Sequence, residues 1–384
     1  VIGFTGADNQ GIIGMEVSYD SYLKGDDGSI LTLTNARGIE IEGAAEDRIE
    51  PVAGNSLYTS IDINMQKYAE QAAEDVMEAK KSKSVRIIMM NPQNGEIYTM
   101  VNVPEFNLND PYKIKNAEKM TDKQQSDALN AMWRNESISD TYEPGSTFKL
   151  LTASAALEEG ITDTDRSGEF CCSGSINIAG TKIRCWRYYR PHGSQSLREA
   201  LMNSCNPVFI GLGQKIGVDK YYEYLEKFGL LKKTGIDLPG EAGSIFLKKE
   251  KIGPVELATI SFGQRFEITP IQMIKLVGTI ANNGKEVNPR IVKATVDGKT
   301  KEVKEILIEE GEQVISEENA KKVLSMMESV VEEGTGKNAQ VAGYAIGGKT
   351  GTSEDGVNTG KYVTSFVAVA DINDPEIVMI VILY

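Results

Sequence analysis

The sequence predicts an α+β fold in which a five-stranded antiparallel sheet is assembled from both ends of the chain around a long helical insert. Three observations predict it. Two strand-like runs, residues 85–90 and 96–101, flank Asn94-Gly95, a pair that supplies the positive φ angles of a tight hairpin. Three more such runs, residues 344–353, 365–370 and 376–383, close the chain. Between them lies a mainly helical stretch that includes residues 146–159, 196–203, 207–216 and 220–228.

Taken in order, the first fifty-odd residues are rich in Gly, Asp and Glu, hold short apolar runs such as Ile30-Leu-Thr-Leu-Thr34, and contain no long amphipathic helix. They predict a small β-rich appendage, residues 1–56, ahead of a main domain over residues 57–384. Residues 65–81 then predict a helix with Met65, Tyr68, Ala69, Ala72, Ala73 and Val76 on one face. Another is expected over residues 316–333, where Val323, Leu324, Met327, Val330 and Val331 follow helical spacing.

Composition narrows the function. With 41 basic against 55 acidic residues the formal charge is −14, so the phosphate neutralisation that dominates nucleic-acid binding has no source. The apolar run over residues 377–384 is too short to cross a bilayer and predicts a buried strand. Val1 opens inside what looks like folded material, so an N-terminal anchoring segment is expected outside this sequence. Gly211-Leu-Gly213 and Gly334-Thr-Gly336-Lys337 lack the strand-glycine-helix setting of a phosphate loop, which argues against nucleotide binding.

The chemistry is carried by three short motifs. Glu143-Pro-Gly-Ser146-Thr-Phe-Lys149 places a serine at a helix start with a lysine three residues on, so both share a face. Burial lowers the pKa of such a lysine, and a neutral amine can take the serine proton. Alone, this spacing fits a solvated helix face better than a catalytic pair. Ser204-Cys205-Asn206 lies between two helical segments with Pro207 at the start of the second, and by itself fits simple capping. Gly347-Gly-Lys349-Thr350-Gly351-Thr352 lies on a strand whose glycines admit another backbone closely, and by itself fits an edge strand. The three in this order and setting form a joint signal that none carries alone.

With these motifs the chain resembles the penicillin-recognising serine acyltransferases, specifically the class B penicillin-binding proteins and their sporulation-specific branch. Ser261-Phe-Gly-Gln264, Thr269-Pro270-Ile-Gln272, Gly334-Thr-Gly336 and Trp133-Arg-Asn-Glu-Ser-Ile-Ser-Asp140 add to the likeness. Gly11, Glu16, Tyr19, Leu23 and Gly25 are similar to the end of that family's N-terminal pedestal.

The resemblance implies a peptidoglycan D,D-transpeptidase, inhibited by β-lactams, acting on stem peptides at the outer face of the bacterial membrane or the forespore envelope beside a membrane glycosyltransferase. It implies Ser146 as nucleophile, Lys149 as base, Ser204 as proton relay and Asn206 as orienter of the acyl amide. Lys349, counted with the catalytic residues, Thr350 and Thr352 are implied to hold the donor carboxylate, Gly351 to complete the substrate-binding strand, and the backbone N–H groups of Ser146 and Thr352 to meet the oxyanion. No cofactor is implied for catalysis. A β-lactamase, a D,D-carboxypeptidase and a β-lactam sensor without turnover stand as alternatives, with the pedestal and the long insert favouring the transpeptidase. A histidine triad would have to use His192, the single histidine.

Two departures from the family pattern stand out. Gly263-Gln264-Arg265 has arginine where a second glycine is usual, which puts groove geometry in doubt. The sequence stops at Tyr384 where a further helix would pack, so the final strand is expected to be less covered.

Cys172, Cys185 and His192 form a set whose soft thiolates and imidazole favour a structural zinc, with Cys171, Asp165 or Glu169 as a fourth ligand. A disulfide and free thiols are the alternatives. Cys205 is expected to be a small packed residue within its motif.

Overall fold

The computed structural model describes residues 1–33, 37, 47–354 and 360–384. Five strands, β1 (Val85–Met90), β2 (Ile97–Val103), β3 (Ile346–Glu354), β4 (Tyr362–Ala370) and β5 (Ile377–Leu383), form one sheet in the order β3-β4-β5-β1-β2. Every neighbouring pair is antiparallel, as the sequence predicts.

β5 is apolar on both faces; one is buried, and the other, expected from the sequence to be less covered, is half-buried. Val378, Ile380 and Ile382 enter the main core, while Met379, Val381 and Leu383 are half-buried on the other face. On that face of the sheet helix α1 (Ile63–Lys80) packs over β1 and β2. Its contact stripe is Ala69, Ala73, Val76 and Met77, the i, i+4, i+7, i+8 set. Tyr68 and Ala72, expected on this face, are rotated out, and Tyr68 is 79% exposed.

The β1–β2 connection is wider than a two-residue turn. Asn91 N–H donates to Glu96 O (2.9 Å) and Gly95 N–H to Asn91 O (3.0 Å), and of the pair only Gly95 has positive φ. A Cβ on Gly95 would stand 1.9 Å from Asn288 O, so this loop is shaped by close packing on residue 288 as much as by its own turn chemistry.

The insert is helical: α2 (Lys149–Glu158), α3 (Leu197–Met202), α4 (Asn206–Lys227), α5 (Pro254–Ile260) and α6 (Pro270–Ala281), followed by α7 (Glu317–Glu332). Helix α6 is buried on every side, and even its Lys275 is satisfied internally by Glu286 (2.6 Å) and Asn288 (2.7 Å). The two helices expected over residues 207–216 and 220–228 are present within α4, meeting at a kink where Gly217 (φ 78°, ψ 161°) leaves the helical conformation. The segment that carries Ser146 opens as a 3₁₀ turn, Gly145–Phe148, before α2 begins.

Two short ladders also occupy the cysteine-bearing segment, Phe170–Cys172 with Gly193–Gln195 and Ser175–Ile178 with Thr181–Arg184. Among the described residues near the N-terminus, two short helices, Gly14–Ser18 and Asp20–Leu23, precede the ladder of Ser29–Leu31 with Asp47–Ile49. Thr34 of the expected apolar run lies outside the described residues. A strand at Ser56–Thr59 spans the expected domain boundary and pairs with Val292–Val296. No helix among the described residues is long and apolar enough to cross a membrane.

Candidate active site

Three chain segments meet at Ser146, and glycines make the meeting possible. Gly145 sits at φ +56°, where a Cβ would lie 2.7 Å from Thr352 O and 3.2 Å from Thr352 N. The nucleophile turn thus packs directly on the backbone of β3. Gly145 N–H donates to Gly263 O (2.9 Å), and Gly263, at φ +89°, passes so close that a Cβ would stand 1.9 Å from Gly145 O. On the other flank Ser353 Oγ donates to Glu143 O (2.8 Å).

Helix α2 then carries Lys149 into the centre of the site. Its side chain is wholly buried, and Nζ lies 3.0 Å from Ser146 Oγ, 2.9 Å from Ser204 O, 3.0 Å from Ser204 Oγ and 2.6 Å from Asn206 Oδ1. Burial lowers the Lys149 pKa to about 7, so a large fraction is the neutral amine near neutrality. Ser204 holds a left-handed conformation (φ 51°), the strained setting that aims both its carbonyl and its hydroxyl at the same ammonium. Asn206 opens α4, with Pro207 fixing the helix start.

Lys349, on β3, is also fully buried, and burial together with the Lys149 charge pushes it well below the usual lysine range. Its Nζ donates to Thr350 O (3.1 Å) and Thr350 Oγ1 (3.4 Å). Thr350 Oγ1 donates in turn to Thr335 Oγ1 (3.3 Å), while Thr335 N–H is anchored on Met202 O (3.1 Å). The glycine position Gly351 is forced: a Cβ there would meet Ser365 Oγ at 2.4 Å and Pro144 O at 2.8 Å. Thr352 is exposed at the cleft edge. Ser146, Lys149, Ser204 and Asn206 are therefore joined by hydrogen bonds, Lys349 through Thr352 forms the facing wall, and Thr335 joins it. The sequence marked Gly334-Thr-Gly336 as a landmark but assigned Thr335 no role.

Arg265 resolves one expected departure. It adopts φ +65°, the angle a glycine would take without cost, and its N–H donates to Glu143 Oε1 (2.8 Å). Burial raises the Glu143 carboxyl pKa.

The cysteine segment converges beside this site. The ligand atoms of Cys172, Cys185, His192 and Cys205 all lie within 4.8 Å of one another, and a tetrahedral zinc with sulfur at about 2.3 Å brings sulfurs to roughly 3.8 Å apart. His192 Nε2 is buried with no hydrogen-bond partner, and Cys185 Sγ is 3.6 Å from His192 Nδ1. A hydrogen bond from Cys205 lowers the Cys185 thiol, and the same contact with burial raises Cys205. All four cysteines are free.

The fourth member of the cluster is Cys205, not one of the three alternatives expected. Cys171 points outward because neighbours on a strand face opposite ways. Asp165 is engaged by Arg198 (2.6 Å), and Glu169 by Thr162 (2.6 Å) and Arg166 (3.2 Å). Cys205 was hidden from sequence spacing because the turn after α3, not proximity along the chain, brings it to Cys185.

The penicillin binding protein transpeptidase domain matches residues 85–384, and the chain belongs to that family. It is 40% identical over 387 residues to stage V sporulation protein D of Bacillus subtilis, covering 99% of this chain and 57% of that protein. It is 29% identical to the peptidoglycan D,D-transpeptidase FtsI of Escherichia coli, covering 100% of this chain and 60% of that one. Among solved structures it is similar to penicillin binding protein 3 of Mycobacterium tuberculosis, with a TM-score of 0.83, 28% identity, and cover of 100% of this chain and 81% of the other. The chain thus spans somewhat over half the length of these curated relatives.

Proposed function

We propose that this chain is the catalytic part of a peptidoglycan D,D-transpeptidase acting in spore-wall synthesis, working through an acyl-enzyme on Ser146. The observation that carries the proposal is the buried Lys149 amine, 3.0 Å from Ser146 Oγ with a pKa lowered to about 7. Neutral Lys149 accepts the Ser146 proton as Oγ attacks the carbonyl between the two terminal D-alanines of a donor stem peptide. The tetrahedral oxyanion is met by the N–H groups of Ser146 and Thr352, a reading supported by the close packing of Gly145 on the Thr352 backbone. Collapse breaks the peptide bond, and the departing amine of D-alanine takes a proton through Ser204 and Lys149. An amine from a second strand then attacks the ester, returns its proton to the same relay, and leaves Ser146 free.

Asn206 orients the acyl amide, and Lys349, Thr350, Gly351 and Thr352 hold the terminal carboxylate. β-Lactams acylate the same serine; relatives of this fold have been solved with aztreonam and ampicillin. The 40% identity to a stage V sporulation protein supports the sporulation role. An N-terminal membrane anchor outside this sequence, an extracytoplasmic site at the cell or forespore membrane, and a membrane glycosyltransferase partner complete the reading. The proposed division is a pedestal fragment at residues 1–56 and a transpeptidase domain at residues 57–384.

Cys172, Cys185, His192 and Cys205 suit a structural zinc: three sulfurs and one imidazole converge within 4.8 Å, and His192 Nε2 has no other partner. Such an ion would cross-link residues 172–192 to Cys205 and pin the turn that carries Ser204 and Asn206.

Incubating the protein with a D-alanyl-D-alanine pentapeptide and an acceptor amine tests the function. Release of D-alanine with formation of the cross-linked product, both lost in Ser146→Ala, is expected; hydrolysed tetrapeptide alone would contradict transpeptidation.

A further inference from the structure

Residues 170–197 carry four basic side chains, Lys182, Arg184, Arg187 and Arg190, and no acidic one, in a chain whose formal charge is −14. This positive island is a built surface. Trp186 Nε1 donates to Asn203 O (3.0 Å), fastening residues 185–192 to the residue that precedes Ser204. Tyr188 N–H donates to Cys185 O (3.0 Å) and Arg190 N–H to Arg187 O (3.1 Å), so the loop is internally turned.

Its outer face holds large side chains that a solvated loop has no need of. Trp186, Tyr188 and Tyr189 are 51%, 53% and 73% exposed, and Arg184 lies over the Tyr188 ring at 5.1 Å. The nearby carboxylates are committed elsewhere, Asp165 to Arg198 (2.6 Å) and Glu169 to Arg166 (3.2 Å). Among the described residues no ion pair uses Lys182, Arg184, Arg187 or Arg190. Arginine, tyrosine and tryptophan are the side chains that dominate recognition surfaces, and arginine matches a carboxylate in a planar, bidentate way.

We propose that this rim binds a free carboxylate on the donor stem peptide, upstream of the bond that Ser146 cleaves. The inference rests on the transpeptidase reading, under which Asn206 faces the acyl portion of the donor. The rim is fastened at Asn203 O, in the turn that leads to Ser204 and Asn206. An anionic ligand also complements the positive island, which the rest of this acidic chain does not. Arg187 and Arg190 are the specificity-determining residues, and Tyr189 supplies apolar contact to the peptide stem.

The test compares D-alanine release from two peptides, a stem peptide with a free upstream carboxylate and the same peptide with that carboxylate amidated. Wild-type protein is expected to favour the carboxylate form by about tenfold in kcat/KM, the scale of one charge-assisted pair. Arg187→Ala/Arg190→Ala, and independently the exposed-site variant Arg190→Glu, are expected to erase that preference while leaving the amidated peptide and benzylpenicillin acylation at wild-type rates. The preference is also expected to shrink as salt is raised. Equal rates on both peptides in wild type, or a preference that survives both variants, overturns the proposal. Loss of binding to anionic lipid vesicles in the variants, with peptide preference intact, overturns it in favour of a membrane surface. Failure of the underlying reading is distinguishable, since wild-type protein would then form no benzylpenicillin adduct.

Discussion

Lys149 Nζ stands 3.0 Å from Ser146 Oγ and is fully enclosed by protein. A lysine in solution is protonated at neutral pH and cannot act as a base. Under the proposed acyl-enzyme reading, enclosure lets Lys149 serve as the base that a histidine provides in a triad, and His192 lies instead in the cysteine cluster.

The rate of acylation by benzylpenicillin should therefore follow the Lys149 pKa. Its folded value is lowered to about 7, so the neutral amine gains population as pH rises through 7 and the rate should climb, then level off above. Stopped-flow acylation between pH 5 and 9 checks this; an inflection near the ordinary lysine value would mean that Lys149 is not the base. Lys149→Ala should lower the rate by about 10²–10⁴-fold, the usual worth of a positioned base.

Arg265→Gly should stabilise the fold. Arg265 occupies φ +65°, an angle that costs a side-chain-bearing residue about 1–2 kcal/mol. Part of that gain is offset by glycine's greater unfolded-state freedom, so a net increase of about 0.5–1 kcal/mol is expected. Urea denaturation reads it directly, and a destabilised variant would show that the arginine side chain contributes more than its backbone angle costs.

Thr335→Val removes the acceptor for Thr350 Oγ1 while keeping the side-chain volume. The lost hydrogen bond is worth about 1 kcal/mol, so acylation by a carboxylate-bearing β-lactam should fall about fivefold with little change in melting temperature. An unchanged rate would place Thr335 outside the carboxylate-binding wall.

Removing metal should loosen the active-site turn. Protein purified without chelator is expected to carry one zinc per chain, measured by elemental analysis, and Cys205→Ser should bind it more weakly. Prolonged chelation should lower the melting temperature and slow acylation together, because Cys205 lies between Ser204 and Asn206. Metal-free protein that melts and acylates normally would leave the four side chains as packing alone.

Much of this was legible in the sequence. The sheet could be read because β5 is apolar throughout and β1 is apolar but for Arg86, and the proposed catalytic groups because each motif keeps its own local setting. Cys205 was missed because a turn, not spacing, delivers it to Cys185. Tyr68 was placed on the wrong face because helical spacing leaves the rotation of the helix open by a position: the stripe that packs on the sheet is Ala69, Ala73, Val76 and Met77, which turns Tyr68 and Ala72 outward. The 3₁₀ opening of the nucleophile segment was equally invisible, since it arises from Gly145 docking on Thr352, a contact more than two hundred positions away along the chain.

The central claim is a covalent acyl-enzyme on Ser146, and intact-mass spectrometry after benzylpenicillin tests it most directly. A single adduct of the intact antibiotic's mass that persists for many minutes, maps to the peptide containing Ser146, and vanishes in Ser146→Ala is the expected result. No adduct, or one that forms and clears within seconds as the drug is hydrolysed, would contradict it.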